Sequence, residues 1–121
     1  MTNYKQLEAW KQSMQLVTNV YALTQTFPIE EKYGLTSQLR RAAVSVPSNI
    51  AEGMGRQYKK DCLQFLHIAR GSLYETETLL QISINTNNAT EKAIQPIQEQ
   101  TEQCLKILHG LIAYVEKADL K

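Results

Sequence analysis

Apolar residues recur every three or four positions over nearly the whole chain, and no stretch of convincing length alternates apolar with polar residues as a half-buried strand would. The pattern therefore predicts an all-α protein. Leu7, Trp10, Met14, Val17, Tyr21 and Thr24 follow a near-heptad spacing, and Leu16, Val20, Leu23 and Phe27 form a second stripe beside them. Together they predict a first helix that is apolar over a wide face and is stopped by Pro28. After a connection over residues 29–34, Thr36 is the expected N-cap of a second helix that ends at Gly53 and Gly55. Pro47 falls inside this helix. It removes a backbone donor and its ring crowds the carbonyl of Ala43, so a kink or an end is expected there.

A third helix is expected from about residues 58–61 to Ser83, with Cys62, Leu66, Ala69, Leu73, Thr76 and Leu80 facing inward and Phe65, Ile68, Leu79 and Ile82 on a different side. A helix that is apolar on two sides needs two covers, one from its own bundle and one from elsewhere. The polar run over residues 85–90 reads as a loop, with Thr90 capping a fourth helix that continues to about Ala118. Ile97, Cys104, Leu108, Leu111 and Val115 are its expected inner stripe, Ile107, Ile112 and Tyr114 add apolar surface around it, and Pro96 is expected to delay or bend its start. Four helices joined by short loops predict an up-down-up-down antiparallel four-helix bundle. A chain of 121 residues has room for one such core, so residues 1–121 are read as a single domain.

The second helix carries more than its core stripe of Leu39, Ala43, Val46 and Ile50. Opposite it, Gln38, Arg41, Ser45, Ser48, Asn49 and Glu52 repeat at three-and-four spacing, and these medium-sized hydrogen-bonding residues build ordered polar networks or recognise a partner. The structural reading of this line is a network between helices or subunits, in which Arg41 or Arg70 pairs with Glu52 or Glu75. The enzymatic alternative would use Arg41, Asn49 and Glu52 as a polar centre, and Glu52→Ala separates the two. Small residues gather where the second and third helices would cross: Ala42, Ala43, Ala51 and Gly53 on one, Ala69, Gly71 and Ser72 on the other. Close backbone approach is the expected reason for Gly71, which otherwise costs about 1 kcal/mol in a helix interior.

Thirteen basic and twelve acidic residues leave a net charge of +1, so the total points neither to nucleic acid nor to a membrane. The distribution is uneven. Residues 35–74 carry six bases against two acids, whereas residues 75–121 carry four against seven. Within the basic half, Arg56, Lys59 and Lys60 at the junction of the second and third helices are the expected phosphate contacts, weighed against ordinary solvated charges. The N-terminus lacks the apolar core of a signal peptide and no apolar run reaches a membrane span, so a cytoplasmic protein with no membrane partner is expected. Cys62 and Cys104 suit buried thiols better than a disulfide.

Candidate chemistry is sparse. His67 and His109 have no ligand at the spacings that metal-binding bundles repeat, so neither a metal nor any other cofactor is expected. Ser45 and Ser48 have no histidine close in sequence and no strand-turn-helix setting, which argues against a nucleophile. Glu75 and Glu77 fall on different helix faces, and Trp10 and the tyrosines read as core or interface anchors.

Gly-Leu-Thr-Ser-Gln-Leu-Arg-Arg-Ala-Ala-Val-Ser-Val-Pro-Ser-Asn-Ile-Ala-Glu-Gly (residues 34–53) and Phe-Leu-His-Ile-Ala-Arg-Gly-Ser-Leu-Tyr-Glu-Thr-Glu-Thr (residues 65–78) resemble the 23S ribosomal RNA intervening-sequence protein family. The resemblance extends to Trp10 and to Phe27-Pro28, with the fourth helix matching only in its general pattern. It implies a bacterial four-helix bundle assembled as a ring-like homopentamer. The motif positions it carries onto this chain are Gln38, Arg41, Ser45, Ser48, Asn49, Glu52, Gly53, Arg56, Gly71, Ser72 and Glu75, none of them catalytic. Accessory proteins of diversity-generating retroelements, which work with a reverse transcriptase and its RNA, look similar in fold. Through them the resemblance extends to RNA or a nucleic-acid-processing protein as partner, although the low charge here departs from their basic character. The functional expectation is a non-enzymatic oligomeric module that presents a surface to RNA, with a protein scaffold free of nucleic acid as the alternative.

Overall fold

The computed structural model describes residues 3–119 as four α-helices and two short 3-10 turns, with no strand among them. A turn at Tyr4–Gln6 leads into α1 (Glu8–Thr24), and a second turn at Ile29–Glu31 precedes α2 (Leu35–Met54). Then come α3 (Lys59–Asn85) and α4 (Glu91–Lys117). Packing joins α1 to α2, α2 to α3, α3 to α4 and α4 back to α1, with no diagonal pair in contact. The helices therefore stand at the corners of a square as an antiparallel four-helix bundle. None is long and apolar enough to cross a membrane.

The helix ends follow from local chemistry. Thr90 caps α4 as expected, its side chain accepting from Ala93 N at 3.1 Å. Thr36 does not cap α2. It lies buried inside the helix, while the carboxylate of Glu31 reaches across the turn and accepts from Leu35 N at 3.1 Å. A longer side chain four residues upstream thus does the work assigned to the hydroxyl. At the same end of the bundle, Asn87 takes the left-handed conformation (φ 60°), which lets Asn88 N donate to Ser83 O at 2.9 Å and Asn87 N to Ile84 O at 3.0 Å. This is the Schellman closure, with asparagine in the place glycine often takes.

The core corrects two stripes. For α1 the second stripe wins: Leu16, Val20 and Leu23 are buried, as is Phe27 just past the helix, joined by Ala9, Ser13 and, from the first stripe, Thr24, while Met14 and Tyr21 are exposed and Trp10 and Val17 only half-buried. Both stripes satisfy the helical period, and the position of α4 beside α1 decides between them. In α4, Ile112 is buried and Leu111 half-buried, the reverse of the expectation, and Ile94, Thr101 and Leu105 complete the inner face. All six inward positions expected in α3 are buried, and Leu79 joins them, whereas Ile68 and Ile82 stay exposed. Core hydroxyls satisfy themselves locally: Thr24, Thr76, Ser83 and Thr101 each donate to the carbonyl four residues back. No buried side-chain donor or acceptor among the described residues lacks a partner.

Neither internal proline ends its helix. α2 runs through Pro47, which is buried, and α4 begins at Glu91, five residues ahead of Pro96, so no delay occurs. Gly53 sits where α2 meets α3, and an added Cβ would come within 3.0 Å of both Cys62 O and Phe65 Cβ. Gly71 is different. Nothing lies within 4 Å of its would-be Cβ, so close packing is not its reason.

Candidate functional site

The polar line of α2 divides in two. Its inner members face α3: Asn49 Nδ2 donates to Ser45 O at 2.8 Å and to Ser45 Oγ at 2.9 Å. Ser72 Oγ donates to Ser45 Oγ at 2.8 Å, with Ile68 O at 3.1 Å as its alternative acceptor. The hydroxyls are thus partnered by an amide and a second hydroxyl, with no imidazole or carboxylate to take a proton. Its outer members Gln38, Arg41, Ser48 and Glu52 are exposed, and Ser48 Oγ bonds back to Val44 O at 2.8 Å. Glu52 pairs with Arg56 at 3.4 Å, an i,i+4 surface contact. No ion pair joins Arg41 or Arg70 to Glu52 or Glu75 among the described residues, so the charged part of the expected intrachain network does not form.

Two of the three junction bases are engaged within the chain. The Arg56 guanidinium lies over the Phe65 ring, 4.6 Å from its centroid, besides its contact with Glu52. Lys59 Nζ donates to Ala118 O at 3.1 Å, tying the start of α3 to the end of α4. Lys60 alone remains uncommitted, beside an open groove of about 790 Å³ along the first turns of α3 that also involves Leu63, His67 and Ile68.

A second basic cluster, not singled out from the sequence, lies at the opposite end of the bundle. The end of α1, the connection and the start of α2 enclose a groove of about 440 Å³ lined by Lys32, Arg40 and Arg41 together with Tyr21, Tyr33, Thr36, Ser37 and Val44. Arg40 is held rigidly: its Nε donates to Thr24 Oγ1 at 2.7 Å, and its guanidinium stacks over Tyr21 at 4.4 Å. Lys32 Nζ lies 5.4 Å from the centre of the Tyr33 ring, which is 88% exposed. Arg41 is exposed. No carboxylate lines the groove. Of the two carboxylates in the connection, Glu30 and Glu31, the second accepts from Leu35 N through Oε1 and from Asn88 Nδ2 through Oε2.

Beside it, sharing Val44, an apolar groove of about 240 Å³ runs between α1 and α2 over Trp10, Met14, Val17 and Pro47. Tyr4 packs edge-on against Trp10 there, with ring centroids 5.6 Å apart. The unused stripe of α1 is therefore the floor of a surface groove.

Among the described residues no three His, Cys, Asp or Glu side chains come together as metal ligands. Cys62 and Cys104 are free and buried, and burial pushes both thiols up, Cys104 to about 11. Thiols held protonated in this way are poor nucleophiles at neutral pH. Glu77 is raised by burial and by the neighbouring charge of Glu102 across the α3–α4 seam.

The sequence model of the 23S rRNA-intervening sequence protein family matches residues 5–110. Among solved structures, the chain is similar to a protein of unknown function from the S23 ribosomal protein family of Bacteroides thetaiotaomicron VPI-5482, determined at 1.70 Å resolution. The likeness covers 86% of this chain and 97% of that one, with a TM-score of 0.77 and 22% identity, and so speaks for a shared fold. No curated protein matches the chain.

Proposed function

Because the chain belongs to the 23S rRNA-intervening sequence protein family, we propose that it is a homo-oligomeric module without catalytic chemistry of its own, which presents a surface to RNA. The observation that carries this reading is a pair of unlike apolar faces. One is the α1–α2 groove floored by Trp10, Met14, Val17 and Pro47. The other is the outer face of α3 around Leu63 and Ile68, on the corner of the square diagonal to α1. Contiguous apolar surface of this kind marks a contact, and two unlike patches on different sides associate head to tail, closing into a ring when the rotation permits. Five subunits is the number that the family resemblance implies.

Light scattering coupled to size exclusion tests the proposal on the wild type, Met14→Asp and Ile68→Asp. Both positions are more than 40% exposed, so each variant folds. The wild type is expected as a closed oligomer and each variant as a helical monomer. A wild type that elutes as a monomer at every concentration overturns the reading.

A further inference from the structure

We propose that the groove between the end of α1 and the start of α2 binds a single-stranded nucleic acid, with Arg41 and Lys32 on the phosphates and Tyr33 as a stacking platform for a base. The inference deepens the reading of the module as RNA-facing and rests on it. It also moves the contact away from Arg56, Lys59 and Lys60, two of which are spent on Phe65, Glu52 and Ala118 O.

Three cations line one groove of about 440 Å³ to which no carboxylate contributes, although the chain as a whole is nearly neutral. Isolated surface lysines and arginines are solvated and bind little, but these are interleaved with two tyrosine rings. Single strands are held by that combination, cations tracking the backbone and aromatic faces stacking the bases. Tyr33 is 88% exposed, so its ring is open to stack with a base. Arg40, by contrast, is locked by Thr24 and by its stack on Tyr21, which gives the groove a rigid cationic wall before any ligand arrives. Thr36 and Ser37 add hydroxyls along the floor, suited to phosphate and sugar oxygens. A duplex fits poorly, because its bases are already stacked and offer Tyr33 no face. An acidic peptide would use the cations and ignore the rings.

Fluorescence anisotropy with a labelled oligouridylate of twelve nucleotides tests this on the full chain at low and moderate salt. The wild type is expected to bind at low salt and more weakly at moderate salt. Tyr33→Ala and Arg41→Ala should each weaken binding about tenfold. The arginine variant alone should lower the salt slope, by about 0.7 for one phosphate. Tyr33→Phe, which keeps the ring, and Lys60→Ala, at the other basic group, should bind as the wild type does. An oligodeoxythymidylate of the same length identifies the sugar preference, and either strand bound with the Tyr33 and Arg41 losses supports the site. The proposal is overturned if the strand does not bind, if Tyr33→Ala and Arg41→Ala bind normally, or if a duplex or polyglutamate binds as tightly as the single strand. Light scattering on the same samples keeps the two readings apart. A monomer that binds the strand removes the assembly and leaves this site, and an oligomer that ignores the strand does the reverse.

Discussion

Ser72 Oγ donates to Ser45 Oγ across 2.8 Å, so that α2 and α3, the most extensively packed pair of helices, are joined by a polar contact inside an otherwise apolar seam. The contact also orients Asn49, whose amide reaches the same Ser45 oxygen. Removing either hydroxyl breaks the cross-helix bond, although Ser72 keeps Ile68 O as an acceptor and Ser45 keeps Asn49 as a donor. We expect Ser45→Ala and Ser72→Ala each to cost about 1 kcal/mol, with a coupling of roughly 0.5–1 kcal/mol in the double variant. Urea denaturation reads this as lower midpoints at unchanged slope, and strictly additive losses would show that the two hydroxyls act separately.

Two helical glycines, Gly53 buried near the end of α2 and Gly71 exposed in the middle of α3, should respond in opposite directions to alanine. At Gly53 the new methyl group would stand 3.0 Å from Cys62 O and from Phe65 Cβ, so the gain in helix propensity is outweighed by forcing α3 away. At Gly71 nothing stands within 4 Å, and Gly71→Ala should stabilise the fold by up to about 1 kcal/mol. Thermal unfolding of the two variants gives the comparison. A destabilised Gly71→Ala would reveal a contact at that position that the single chain does not contain.

Glu77 gives the α3–α4 seam a pH dependence. Burial first, and the charge of Glu102 second, raise its folded pKa above the ordinary carboxylate value. A folded pKa above the unfolded one means that the folded state holds the proton more tightly. The stability contributed by this group is therefore fully present below the unfolded pKa and is lost as pH rises through the folded value. At neutral pH the ionised side chain is a cost, so Glu77→Gln should raise the melting temperature by about 1 °C, as expected for relief of one partly exposed like-charge contact. The advantage should disappear as the pH approaches about 4, where the wild-type carboxyl is itself protonated. An advantage that persists at low pH would assign the effect to packing.

The candidate site was legible only in part. Arg41, Ser45 and Asn49 stand out because three-and-four spacing within one helix can be counted along the chain, Ser72 stands out among the small residues of the next helix, and Ser45 and Ser72 do meet. Lys32 and Arg40 did not stand out, since the groove they line draws on the end of α1, a connection and the start of α2. A signal existed in the steps of four from Lys32 through Thr36 to Arg40 and from Tyr33 through Ser37 to Arg41, which cross the boundary between connection and helix. Conversely, Arg56, Lys59 and Lys60 read as a basic cluster in the chain, yet Lys59 turns to the carbonyl of Ala118, which is 59 residues away.

What the sequence determined by itself is whatever depends on near neighbours: four helices, the stop before Pro28, the Thr90 cap and the inward stripe of α3. These follow from backbone hydrogen bonding and side-chain period, which act over four residues. Tertiary structure alone decided which stripe of α1 went inside and where the cations gather. Two stripes of equal period bury equal kinds of surface, so the choice falls to the helices packed alongside, and contacts between those helices are made at separations that no local pattern records.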